Sequence, residues 1–178
     1  LHRLQFIHTT YNREFTIYRN TTTGQVLALA GNDTQYREDG QVNGTNNIFD
    51  DKFWISYIEE SDKVVKGYPI SSDGYAIREP IILNKSDWKL IFSKDSSVLD
   101  VHIPAGEKMD YHECIKSFQL ANEFFPNYMA KTDFSGFMCT SWLLDPNLQQ
   151  ILPSESNIVK FQKEFYLMPI LSNDFQTF

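Results

Sequence analysis

The stretch "HIPAGEKMDYHECIKSFQLANEFFP" restricts the fold more than any other part of this chain. Asp110 followed three residues later by Glu113 forms a capping box, and Ile115, Phe118, Asn122 and Phe125 recur at helical spacing until Pro126. A helix is therefore expected from Asp110 to Pro126. The β-branched run "VLDVHIP" precedes it and the apolar run "FSGFMCTSWLL" follows, so a strand is expected on each side. After the second strand, Asp145-Pro146 reads as an N-cap with proline at the first helical position, and Leu148, Ile151 and Leu152 form an apolar face. A last helix is expected from about Ser154 to Ser156 onward, with Ile158, Phe161 and Phe165 facing inward, before a final apolar segment "FYLMPIL".

Upstream of residue 100 the period changes to that of strands. "FWISYIEE", "VVKGYPI", "PIILN" and "WKLIFSK" are short β-branched and aromatic runs broken by Ser-Asp turns, which favours antiparallel neighbours in one sheet. "REFTIYRNTTTGQVLALA" reads as a hairpin, and "GNDTQYREDGQVNGTNN" as a long polar loop. Strands followed by strand, helix, strand and helix give an α+β fold with a mostly antiparallel central sheet and two or three flanking helices. Residues 1–50 read as a hairpin and loop left from, or linking to, an upstream domain, and 51–178 as the main domain. Because the sequence opens at Leu1 with no initiator methionine or leader, a segment of a longer protein or a processed chain is expected.

Composition excludes several functions. The net charge is −7, with lysines and arginines scattered singly, so the basic stripe needed for a nucleic-acid backbone is missing. No apolar run approaches the roughly 20 residues needed to span a bilayer. Two cysteines, Cys114 and Cys139, cannot form a disulfide framework or a four-ligand zinc site. A cytoplasmic location is expected, with a small-molecule substrate and the upstream domain as partners. No metal is expected, since His112, Glu113 and Cys114 point about 100° apart on a helix.

The segments "HIPAG", "C-x-SWLLDP" and "SNI-x-x-FQ", supported by the strand-rich "FWISYIEE" to "WKLIFSK", resemble the C-terminal GNAT-like domain of a bacterial acyltransferase family, where it follows a largely helical domain. The resemblance implies a GNAT-like fold and transfer of an acyl group from acyl-CoA as co-substrate to a small-molecule amine or hydroxyl, the alternative being a degenerate, non-catalytic GNAT-like domain that binds a small molecule or packs on the upstream domain. Acetyltransferases of that superfamily hold the coenzyme pyrophosphate on a Gln/Arg-x-x-Gly-x-Gly/Ala turn at a helix N-terminus. Here "IPAGEKMD" supplies one glycine, Gly106, with acids at Glu107 and Asp110 and one cation at Lys108. A tight turn feeding a capped helix accounts for the same residues.

Candidate chemistry gathers around these segments. His102 lies on the polar side of its strand, opposite Val101, and serves either as general base or as a hydrogen-bonded structural residue. Cys139 is either a nucleophile activated by His102 or a core cysteine sharing a face with Phe137. Ser141 and Trp142 sit where strand gives way to helix, a place where ligand groups collect. Ser156 and Asn157 open the last helix and offer polar groups to an anion or simply cap it. Gln162, a turn further on, reads as a hydrogen-bonding residue or a plain helix-surface glutamine.

Overall fold

The computed structural model describes residues 2–106, 108–129 and 133–172. Its strands are Gln5–Thr10 (β1), Thr16–Asn20 (β2), Val26–Leu29 (β3), Gln35–Tyr36 (β4), Trp54–Ile55 (β5), Ile58–Glu60 (β6), Val64–Gly67 (β7), Pro69–Ile70 (β8), Ile81–Asn84 (β9), Trp88–Phe92 (β10), Ser97–His102 (β11) and Phe137–Met138 (β12). Its α-helices are Tyr111–Tyr128 (α1), Leu148–Ile151 (α2) and Asn157–Gln162 (α3), with single 3-10 turns at Thr45–Asn47 and Trp142–Leu144. The fold is α+β, and every strand pair but β11 with β12 is antiparallel. No helix among the described residues is long and apolar enough to cross a membrane.

Contacts divide the chain into two units, residues 1–12 with 95–165 and residues 13–94 with 166–178. The first unit carries the sheet β1-β11-β12. Alternation along β1 and β11 sends Phe6, Leu99 and Val101 toward α1, and these pack with Leu4, Cys114, Phe118, Ala121, Phe125, Phe137 and Phe161. The Phe118 ring lies 5.7 Å from that of Phe6 and 4.9 Å from that of Phe137. Burying an aromatic side chain of this kind contributes roughly 1.5–3 kcal/mol.

The second unit holds three small sheets, β10-β2-β3-β8, β4-β5 and β6-β7-β9, where one continuous sheet was expected. Turn signals indicate where strands end, not which strands meet. The expected hairpin of β2 and β3 is present, but β2 also takes β10 and β3 takes β8, far away in sequence. Tyr18, Leu29, Val65 and Leu83 form its core. The polar tract after Ala30 is ordered by buried Arg37, which pairs with Asp39 and donates to the carbonyls of Thr45 and Ile48.

Four local expectations change. Helix α1 runs past Pro126 to Tyr128, because the proline withholds a donor only from Asn122, whose exposed surroundings let water take its place. The expected buried strand through residue 144 shrinks to Phe137–Met138 before the 3-10 turn. Asp145 does not cap α2: it closes the 3-10 turn, and its Oδ1 accepts from Asn147 N at 2.9 Å in a local turn. In α3 the buried residues are Val159, Phe161 and Gln162, so Val159 replaces Ile158 on the inward face.

Candidate active site

Among the described residues, strand β11, helix α1 and strand β12 form the one crossover that joins parallel strands, and ligand groups collect beyond the carboxyl ends of such strands. Pairing joins Leu99 to Phe137 and Asp100 to Met138 and stops there. β11 continues to His102, held on its other side by Gln5 of β1. Past Asp100 and Met138 the facing edges of the two chains are therefore unpaired with each other. His102, Gly106, Cys139, Ser141 and Trp142 all follow this divergence in sequence.

The turn after β11 spans Pro104 to Asp110. Gly106 takes a left-handed φ of 95° in open space, with no neighbouring atom within 4 Å of where a Cβ would stand. The Asp110 side chain caps α1 by accepting from Glu113 N at 3.0 Å. Lys108 is exposed, while Glu107 lies outside the described residues. Arg3, buried to 8% exposure, reaches this turn from the start of the chain. Its Nη1 donates to Pro104 O at 2.8 Å and its Nε to Lys108 O at 3.2 Å. Spacing carries no sign of this, since the partners lie about a hundred residues apart in sequence.

The turn after β12 is held in a similar way. Ser141 Oγ accepts from Leu143 N, opening the 3-10 turn that presents Trp142 with 61% of its surface exposed. Gln162, read from sequence as a surface residue among other options, is fully buried. Its Nε2 donates to Leu143 O at 2.7 Å and to Asp145 O at 2.9 Å, while its Oε1 is buried without a partner.

The remaining residues separate. Cys139 packs with Leu4, Val101, Cys114 and Phe161 on the helix side of the sheet. His102, following Val101 along β11, is exposed on the opposite side. The pairing of His102 as base with Cys139 as nucleophile is thus not formed. Burial, aided by the Asp100 carboxylate, pushes the Cys139 thiol up to about 12, and burial pushes Cys114 to about 11. Ser156 Oγ is engaged in capping α3 through Val159 N at 3.3 Å, and Asn157 is exposed beside it. Among the described residues no three metal-binding side chains cluster, and Glu113 instead meets His2 and Lys116. A cavity of about 590 Å³ opens elsewhere, between Asn122 and Pro126 of α1 and residues 133–137, and includes none of the residues expected to act.

A strand-helix-strand unit whose parallel strands part beyond two residue pairs, set in a mostly antiparallel fold, agrees with what sequence comparison finds. The sequence matches the GNAT-like C-terminal domain over residues 1–178. The chain belongs to that family. No curated protein and no solved structure matches it. The GNAT-like match includes the first fifty residues, which supply β1 and Arg3 to the unit that carries the diverging strands. The family assigns an acetyltransferase-like fold.

Proposed function

We propose that this GNAT-like domain transfers an acyl group from acyl-CoA directly to a small-molecule amine or hydroxyl. The observation that carries the reading is the early end of the β11–β12 ladder. The two strands stop pairing with each other beyond Asp100 and Met138, and such a parting suits an extended, amide-containing chain, which can hydrogen-bond a strand edge. The turn at Gly106 and the first turn of α1 would take the phosphates, and exposed Trp142 would flank the opening.

In this reading His102 is the general base. It accepts the proton of the acceptor amine as the nitrogen attacks the thioester carbonyl; a C–N bond forms, and strand-edge N–H groups hydrogen-bond the oxyanion. The C–S bond then breaks, and the imidazolium returns its proton to the departing coenzyme thiolate. Cys139 has no step, because a thiol held up to about 12 is neutral at physiological pH.

Calorimetric titration of acetyl-CoA and longer acyl-CoA species into the full-length protein tests the proposal. Binding and turnover are expected; no heat and no thermal shift at millimolar ligand would reject it and leave a non-catalytic domain. Cys139→Ser should keep turnover, whereas a trapped thioester on Cys139 would restore the covalent route. The thiol also gives a pH prediction. Because folding raises its pKa, the native state keeps the proton longer, so stability holds below the unfolded thiol value of about 8.5 and falls as pH climbs toward 12. Alkaline unfolding of Cys139→Ala should show a shallower decline.

A further inference from the structure

We propose that the cavity between the end of α1 and residues 133–137 is a second small-molecule site, one that takes an organic amine whose cation meets Asp133 and whose aromatic body lies on Phe134 and Phe137. The site is separate from the one read as binding acyl-CoA and stands without that reading.

Position separates the two. The segment lining the cavity is tied to the first half of β11, where Ser135 N donates to Ser97 O at 2.9 Å and Leu99 N donates to Gly136 O at 3.0 Å. Ser97 opens β11 and His102 closes it. At about 3.3 Å per residue the two ends of the strand stand roughly 17 Å apart. The volume, about 590 Å³, falls in the range of ordinary ligand pockets.

The wall has two characters. Phe134 and Phe137, both half-buried, lie with ring centroids 5.5 Å apart and pack on Leu99, Ala121 and Phe125, which gives a fixed apolar surface. The polar part is rich in acceptors. Asp133 is exposed, and among the described residues no hydrogen bond or ion pair engages the side chains of Asn122, Asp133 or Ser135. Pro126 has no N–H, so the carbonyl of Asn122 lacks its helical donor. Helix α1 also ends here without a basic residue in its last turn, so no cation of the helix itself offsets the partial negative charge of its C-terminus.

These features select the ligand. A carboxylate, a carbonyl without its helical donor and a helix C-terminus each favour a positive charge that carries N–H donors, and each disfavours an anion. A neutral apolar molecule would cover Asp133 and satisfy nothing. A hard metal ion takes several oxygen ligands at once, whereas Asp133 is the one acid among the described lining residues. An ammonium group with an aromatic body answers every part of the wall, and the ring faces add cation–π attraction. The net charge of −7 draws such a cation toward the protein.

The test is titration of the full-length protein with phenethylamine, followed by NMR and calorimetry, against phenethyl alcohol and phenylacetate, which keep the ring and replace the cation by a neutral or an anionic group. The amine should bind in the millimolar range or tighter and shift the backbone amides of Ser135, Gly136 and Phe137. It should exceed phenylacetate in affinity by about tenfold or more. Asp133→Asn should weaken the amine about tenfold and leave the alcohol unchanged. Pro126→Ala, which gives the carbonyl of Asn122 its helical donor and favours the helix, should weaken the amine about threefold.

No binding of phenethylamine at millimolar concentration overturns the proposal. So do equal affinities for the amine and phenylacetate, or an amine affinity that ignores both Asp133→Asn and Pro126→Ala. Shifts confined to His102 and to Cys139 through Trp142 overturn it as well, since the amine then occupies the acyl-transfer site. Failure of acetyl-CoA to bind leaves this proposal standing, and failure of the amine to bind leaves the acyl-CoA reading standing.

Discussion

The turns that follow β11 and β12 are built alike and differ in one respect. Each is gripped by a buried polar side chain from elsewhere in the unit that donates to two of its carbonyls: Arg3 to Pro104 and Lys108, and Gln162 to Leu143 and Asp145. One grip is cationic and leaves an open glycine; the other is neutral, presents Trp142 and leaves its own Oε1 unsatisfied. Two turns at the same end of a parallel pair are thus fixed by the same kind of grip and given different electrostatic character. Firmness and charge can be separated by substitution.

The largest effect is expected at Arg3. Arg3→Met strips the carbonyls of Pro104 and Lys108 of a charged donor, although Lys108 O keeps Asp110 N, and should cost about 3 kcal/mol in urea unfolding. Gln162→Leu removes a neutral donor but also the orphaned Oε1, so the loss should be smaller, about 2 kcal/mol. Equal losses would erase the distinction between the two grips. Ser156→Ala, which removes the cap of the helix that carries Gln162, should cost about 1 kcal/mol in the same assay. Trp142→Phe should change stability by no more than about 0.5 kcal/mol. It should nevertheless remove the tryptophan fluorescence most accessible to acrylamide, since Trp54 is buried and Trp88 half-buried. Unchanged quenching would show that the second turn does not present its indole as described.

Local patterns in the sequence anticipated local structure. The Asp110 to Glu113 capping box starts α1, the Thr-rich turn joins β2 to β3, and alternation places Cys139 with Phe137 and His102 opposite Val101. Gln162 was legible only as one option, a hydrogen-bonding residue without named partners, and Arg3 not at all, for a physical reason. Arg3 and Gln162 act on carbonyls distant in sequence, and a single buried polar side chain leaves no periodic trace. Arg37 illustrates the same limit in the other unit, where it orders a tract whose composition reads only as loop. The division into several sheets was hidden too, because strand partners such as β2 and β10 are set by packing rather than by turns.

The pairing of β1 with β11 bears on how the protein is made. Gln5 meets His102 and Thr10 meets Ser97, so the residues of β1 bond to residues that follow them about ninety positions later. At about 5–20 residues per second, the opening strand emerges from a ribosome on the order of ten seconds before its partner exists. During that interval Leu4, Phe6 and Ile7 have no sheet to join, and closing so long a loop slows the search for it. A chaperone or a slow refolding phase is the expected companion of this strand.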